Sequence, residues 1–278
     1  MSLYVASIAS GSNGNCYYIG NEQEAILVDA GISCREIENR MNRMGLSLKK
    51  VRAIFISHEH SDHIRGLQVL SKKHNLPVYI STLTYQFSGM KLEQDKIFSF
   101  TAGTPIRVGN INIHAFNKLH DAADPYSFVI SSRDVSVGVF TDIGLPCQQV
   151  VRFFKECHAV FLETNYDDEM LDKGNYPFHL KKRIKGEKGH LSNKQALELF
   201  LQHKPSQLSH LFLSHLSKNN NCPQLVQELF NQHAGGVTMV IASRFKETPV
   251  YHISPAHTNK KAFQFTPAGE TQLSLAFE

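Results

Sequence analysis

The sequence predicts a single α/β domain. Strand-like and helix-like segments alternate along nearly the whole of the 278 residues, and no Pro/Gly/Ser-rich linker or internal repeat divides them. The composition agrees: 42% of residues are apolar and 19% charged, as in an ordinary soluble domain, and the length suffices for a buried core.

The elements read in order. "LYVASIA" and "CYYIG" are strands around the polar turn "SGSNGN" (10–15), and "EAILVDAG" is a buried strand ending at Asp29. "SCREIENRMNRMG" is a helix with Ser33 as N-cap, Glu36 three residues on, and Gly45 as its stop. "VRAIFIS" is the next strand, and "DHIRGLQVLSKKHN" follows as one helix by the spacing of its apolar residues. "LPVYIS", "PIRVGNINIHAF", "YSFVISS" and "VSVGVFTD" add strands. The second half repeats the scheme, with helices in "QQVVRFFKEC", "NKQALELFLQHK" and "PQLVQELFNQH" and strands in "AVFLETN", "LSHLFLSHLS" and "GVTMVIAS". The domain is expected to span residues 1–262, with 263–278 as a tail.

Several classes are excluded. No apolar run approaches the roughly 18 residues that span a bilayer, and the N-terminus lacks the basic and apolar regions of a signal peptide. A cytoplasmic protein is expected. The five cysteines are odd in number and scattered without a C-x-x-C pair, which fits reduced structural thiols rather than a disulfide framework or zinc knuckle. Net charge is +4, a mild bias that permits an anionic partner.

The informative segment is "SHEHSDH" (57–63), directly after the apolar run "VRAIFI". His58, His60, Asp62 and His63 stand in the spacing H-x-H-x-D-H where a strand ends. A solvated polar loop is the plain alternative. Neutral imidazole and carboxylate are the ligands that borderline divalent ions prefer. Four such groups in six residues can be shared between two neighbouring ions, but each ion needs further ligands from distant parts of the chain.

The motif resembles the signature of the metallo-β-lactamase superfamily, and the other motifs of that superfamily have counterparts here in the same order. Asp29 ends "AILVD", His120 lies in "KLHDAADP", Asp142 ends "VGVFTD" and His215 ends "LFLSH". The resemblance implies a four-layer αββα sandwich with the site at one edge of its two sheets. It also implies that His58, His60 and His120 hold one divalent ion, that Asp62, His63 and His215 hold a second, and that Asp142 bridges them. Asp29 would orient the ligand loop from behind. Zinc or manganese suits such donors. Two ions ~3.5–4 Å apart can share a hydroxide and so supply a nucleophile at neutral pH.

Two further segments narrow the resemblance. "FLETNYDDEML" places Glu163 at a strand end, and "KGHLSNKQALEL" places His190 at a helix start with Ser192 as a cap. They are similar to the Glu-Thr and His-Ser/Thr elements of the phosphodiesterase branch, in which this pair protonates the departing oxygen. Asp62, Glu163 and His190 are therefore the residues expected to carry catalysis. "SGSNGNCYYI", "ILVDAGIS", "IFISHEHSDHIRGL", "HDAADPYSF", "GHLSN" and "LSHLSKNNN" together resemble the bacterial WalJ/YycJ-type metallo-hydrolases. That resemblance implies a metal-dependent DNA exonuclease acting in repair or replication. A hydrolase of a small phosphodiester or lactone, and a non-catalytic partner protein that retains the fold, are the rival readings.

The gaps fit a compact nuclease. About twenty residues separate His120 from Asp142, and about seventy separate Asp142 from His215. Neither leaves room for the tRNA-gripping arm or the large inserted domain of other branches. Lys181, Lys182 and Arg183, in a basic loop leading to His190, are expected to hold a phosphate backbone. Asn15, in the "SGSNGN" turn, is a candidate to present backbone N–H to a phosphate, although an ordinary hairpin turn is an equal reading. In the tail, Gln272, Leu273, Leu275 and Phe277 resemble the short peptide by which bacterial proteins dock on the DNA sliding clamp.

Overall fold

The computed structural model describes residues 2–255. The tail at 263–278, with Gln272, Leu273, Leu275 and Phe277, lies outside the described residues. Two seven-stranded mixed sheets make up the centre. The first runs in the order Tyr251–Ile253, Leu3–Ala9, Cys16–Gly20, Ala25–Val28, Val51–Phe55, Val78–Tyr79 and Ile97–Phe98. The second runs Thr238–Ile241, His210–Ser214, Ala159–Glu163, Val135–Phe140, Tyr126–Ser132, Ile111–Asn117 and Ile106–Val108.

Strand periodicity builds the layers. Ala25 and Leu27 pack toward the helices, while Ile26 and Val28 of the same strand pack toward the other sheet. Between the sheets lies a core that joins Val5, Ile19 and Phe55 to Ile113, Phe128, Val139 and Phe161. On one outer side Ile37, Met41, Leu67 and Leu70 cover the first sheet. On the other, Val150, Phe154, Ala196, Phe200 and Phe230 cover the second. Three apolar layers between four structural ones make the αββα sandwich expected from the resemblance.

Helix Cys34–Arg43 begins where expected, with Ser33 Oγ accepting the Glu36 N–H, and the chain turns out of it at Gly45. Ser192 caps Asn193–His203 in a reciprocal capping box with Gln195. The expected single helix after the His-rich segment is instead two, Ser61–Ile64 and Leu67–His74. The break is at Gly66, whose N–H donates to Ala30 O and where a Cβ would lie 2.0 Å from Ile32 O. "PIRVGNINIHAF" is a hairpin turning at Gly109 rather than one strand. The segment around Lys181, Lys182 and Arg183, expected as a loop, is helix Phe178–Lys185. It packs through Leu180 and Ile184 on Tyr166 and Leu171, a satellite core too small to show in the sequence periodicity.

The strands that matter for the site are parallel neighbours: Ala25–Val28 beside Val51–Phe55, and Val135–Phe140, Ala159–Glu163 and His210–Ser214 side by side. Their carboxyl ends meet at one edge of the sandwich, the place where open α/β sheets bind ligands. Among the described residues no helix is long and apolar enough to cross a membrane.

Candidate metal centre

Asp29, Asp142 and His215 each come directly after, or two residues after, a parallel strand, and each has a left-handed backbone, with φ of 62°, 56° and 59°. Such a conformation costs a residue with a Cβ roughly 1–2 kcal/mol, and Asp less, because its short side chain can hydrogen-bond locally. It turns all three side chains out of the strand direction at the same edge, where the loop 57–63 also lies.

His58, His60 and His120 offer donor atoms within 4.8 Å of one another, and so do Asp62, His63 and His215. His60 Nδ1 is 3.1 Å from His58 Nε2 and 3.4 Å from His120 Nε2. Asp62 Oδ2 is 3.5 Å from His63 Nε2 and 3.6 Å from His215 Nε2. Asp142 reaches both groups: Oδ2 lies 3.3 Å from His63 Nε2, and Oδ1 lies 3.9 Å from His120 Nε2 and 3.4 Å from His215 Nδ1. The structure thus brings together all seven residues that the resemblance implies as ligands.

The groups behind them fix which ring atom faces inward. His63 Nδ1 contacts Asp29 Oδ2 at 2.7 Å, His58 Nδ1 contacts Ser57 Oγ at 2.9 Å, His120 Nδ1 donates to Gly189 O at 3.1 Å, and His215 Nδ1 donates to Glu163 Oε1 at 2.8 Å. With Nδ1 engaged outside, Nε2 of these four rings is left for the interior. Asp142 Oδ2 and His215 Nε2 are buried without a hydrogen-bond partner. Buried polar atoms rarely go unmatched, and orphans that face each other's neighbours across a His/Asp cluster are what a cation would satisfy. The donor set fits a divalent ion.

Electrostatics support that fit. Burial pushes the Asp142 carboxyl up, but His215 and His63 outweigh it and hold it well below the usual carboxylate range. Burial opposes a proton on His63 and His215, yet the surrounding carboxylates, Asp142 foremost, raise both, His215 to about 10. Burial lowers His58 and takes His120 to about 3. The pocket is anionic overall, and takes up positive charge as protons on two histidines or as metal.

Glu163 and His190 meet beside this cluster. Glu163 ends its strand fully buried; Oε1 accepts from His190 Nδ1 at 2.8 Å as well as from His215, and Oε2 accepts the N–H groups of Ile143 and Leu191. Burial would raise its carboxyl; His190 and then His215 hold it at about 2. His190 remains partly exposed and sits 3.8 Å from Asp142 Oδ1.

Other expectations need correction. Asn15 is fully buried, and its N–H donates to Asp62 O at 2.8 Å, so it has no backbone donor for a phosphate. Its side chain instead donates to Asp62 Oδ2 at 3.3 Å and lies 3.2 Å from His63 Nε2, which braces the ligand loop. Gly31 makes this close approach: a Cβ there would lie 1.6 Å from Asp62 O. Arg183 pairs with Asp121, next to His120, and Lys181 Nζ donates to Asp172 O at 2.7 Å. Lys182 alone of the three is exposed with no ion pair among the described residues.

The sequence reading also missed several supports. Ser57 touches Asp29, His58 and His63. Ser10 Oγ accepts the His215 N–H, and Asn165 Nδ2 donates to His215 O. Lys118 is buried with its Nζ on Thr141 O, and burial pulls its pKa down. Each of the four lies inside a segment that carries the resemblance, but only Ser57 stands in the H-x-H-x-D-H stretch itself, and none of the segments names the partner its residue supports.

Two facing sheets under helices, with a His/Asp cluster at their carboxyl edge, define a metallo-hydrolase architecture. Residues 24–215 match the Beta-lactamase superfamily domain, and the chain belongs to that superfamily. It is 34% identical over 235 residues to the exodeoxyribonuclease YycJ of Bacillus anthracis, covering 84% of this chain and 89% of that one. It is 31% identical over 254 residues to the exodeoxyribonuclease WalJ of Streptococcus pneumoniae, covering 89% and 93%. The chain belongs with them to one family of enzymes. The fold is also that of the metallo-beta-lactamase fold protein YhfI from Bacillus subtilis, with a TM-score of 0.69 at 17% identity over 91% of this chain and 100% of that one.

Proposed function

We propose that this protein is a metal-dependent phosphodiesterase that hydrolyses DNA from an end, as an exonuclease of repair or replication. The observation that carries the reading is the Glu163–His190 hydrogen bond of 2.8 Å placed beside the His/Asp cluster. Cleaving a phosphodiester leaves an alkoxide unless an acid protonates it, and a positioned acid contributes ~10²–10⁴-fold. Hydrolysis of a thioester, whose thiolate departs without a proton, makes no such demand. The names of the two relatives support DNA as the substrate.

In this reading His58, His60 and His120 would hold one divalent ion, Asp62, His63 and His215 would hold a second, and Asp142 would serve both; zinc or manganese fits the donors. Bound there, such ions would supply an activated water and polarise a phosphoryl oxygen. The remaining steps belong to the chain. Asp29 and Ser57 orient His63 and His58, Asn15 braces Asp62, and Glu163 fixes His215 and His190 together. Because His190 donates Nδ1–H to a carboxylate, Nε2 is the atom that hands a proton to the departing oxygen. Glu163 stabilises the positive ring before that transfer.

Digestion of end-labelled single- and double-stranded DNA, with matched RNA, in the presence of manganese or zinc tests the proposal. Release of terminal nucleotides from DNA is expected. Cleavage of RNA in preference to DNA, or of neither, would overturn it.

A further inference from the structure

Away from the carboxyl edge, on the helical layer covering the first sheet, helices Cys34–Arg43 and Leu67–His74 bring Cys34, Glu38 and His74 together. Cys34 and Glu38 are four residues apart on one helix and share a face; His74 is the last residue of the other helix. One donor atom from each lies within 4.8 Å of the other two. Glu38 Oε1 is the common point, 2.7 Å from His74 Nε2, 2.7 Å from Lys73 Nζ and 3.8 Å from Cys34 Sγ. None of these residues belongs to the cluster at the sheet edge.

Thiolate, imidazole and carboxylate together are ligands of zinc-class ions, with bonds of ~2.3, ~2.0–2.1 and ~2.0–2.2 Å. Such bonds hold donor atoms about 3.3–3.8 Å apart, so the Cys34–Glu38 distance already suits an ion and the His74–Glu38 contact must open by about 1 Å. Lys73 stands on the oxygen the ion would take, but its side chain is 56% exposed, and exposed ion pairs of this kind hold weakly. Glu38, Lys73 and His74 line a surface cavity of about 720 Å³, which gives an ion access from solvent.

We propose that Cys34, Glu38 and His74 form a separate site for a thiophilic divalent ion, completed by a water. Binding sends the Cys34 thiol proton to solvent and Lys73 off Glu38, with no change of oxidation state. The site would staple the two helices from outside. One follows the turn that carries Asp29 and the other follows the loop 57–63, so the staple would tie together both segments that feed the catalytic edge.

Cobalt(II) is the probe, because the sheet-edge cluster contains only nitrogen and oxygen donors. The full chain, stripped with a chelator and titrated with cobalt, should develop a sulfur-to-cobalt charge-transfer band in the near ultraviolet and bind three equivalents at saturation. Cys34→Ser should lose that band and one equivalent of cobalt, yet keep the visible d–d bands of the His/Asp centre. His74→Ala, at a partly exposed position, should lose the band as well, and carries the test if Cys34→Ser does not fold. Lys73→Met should shift the titration to lower cobalt concentration. No sulfur band in the wild type, or a band that survives Cys34→Ser or His74→Ala, would overturn the proposal. A sulfur band without d–d bands from nitrogen and oxygen donors would count against the reading of the sheet-edge centre instead.

Discussion

Asp29 Oδ2 lies 2.7 Å from His63 Nδ1, and both side chains are fully buried. The carboxylate also accepts the Ser57 N–H at 2.8 Å and the Ser57 hydroxyl at 2.9 Å, so it holds the first and last residues of the motif 57–63 against one strand end. Partners of this kind fix the tautomer of a ligand histidine, and their loss typically weakens metal affinity 10–100-fold. Asp29→Asn tolerates the left-handed backbone and removes the charge. It should therefore lower metal affinity by ~10–100-fold in a chelator competition, with an unchanged far-ultraviolet circular dichroism spectrum. Asp29→Ala should add a backbone cost of ~1–2 kcal/mol, read as a lower unfolding midpoint. Wild-type affinity in Asp29→Asn would mean that Asp29 does not position His63.

Asp142 contacts His63, His120 and His215, and so spans both halves of the centre. In a Cys34→Ser background, which removes the sulfur site from the count, elemental analysis of the loaded protein should give close to two ions per chain. Asp142→Ala should hold at most one of them tightly. Failure of every added divalent ion to load the parent would sink the dinuclear reading.

Much of this centre was legible because its candidate ligands cluster in sequence and sit at strand ends, where a buried run stops at a polar residue. His58, His60, Asp62 and His63 announced themselves by spacing; Asp29, Asp142 and His215 did so by ending the apolar runs "AILV", "VGVF" and "LFLS". Asn15, Ser10 and Gly189 were not legible as supports, because their partners Asp62, His215 and His120 lie 47, 205 and 69 residues away. Helix Phe178–Lys185 was hidden for a different reason. It buries only a narrow stripe, so charge dominated its pattern and it read as a loop. Gly66 likewise broke a helix whose apolar spacing runs on unbroken across it, because backbone approach to Ile32, not side-chain periodicity, decides that point.

His190 is tied to Glu163 at one nitrogen and is 18% exposed, which places it where a substrate can meet the other. His190→Ala should keep both ions and lose ~10²-fold or more on DNA, whose alkoxide leaving group needs a proton. An activated aryl phosphodiester, whose leaving group departs without help, should be cleaved at nearly the wild-type rate. Equal losses on the two substrates would remove His190 from the role of proton donor.

The basic helix divides into two kinds of charge. Lys182 is exposed and without an ion pair among the described residues, whereas Arg183 is held by Asp121. That pairing has a consequence, because Asp121 Oδ1 is buried without a hydrogen-bond partner, 3.5 Å from His120 Nε2. Arg183 pairs with the other carboxylate oxygen of Asp121. Lys182→Gln should therefore flatten the salt dependence of duplex binding by ~0.9 in log–log slope, if it meets one phosphate, and leave cleavage of a small phosphodiester unchanged. Arg183→Gln should behave in the opposite way. Freed from its cation, Asp121 can compete for the position beside His120, so metal affinity and small-substrate cleavage should change while the salt slope shifts little. The two variants, measured side by side by salt titration of duplex binding and by chelator competition, separate a phosphate contact from a support of the metal centre. A salt slope that falls equally in both would return Arg183 to the backbone-binding role its sequence position first suggested.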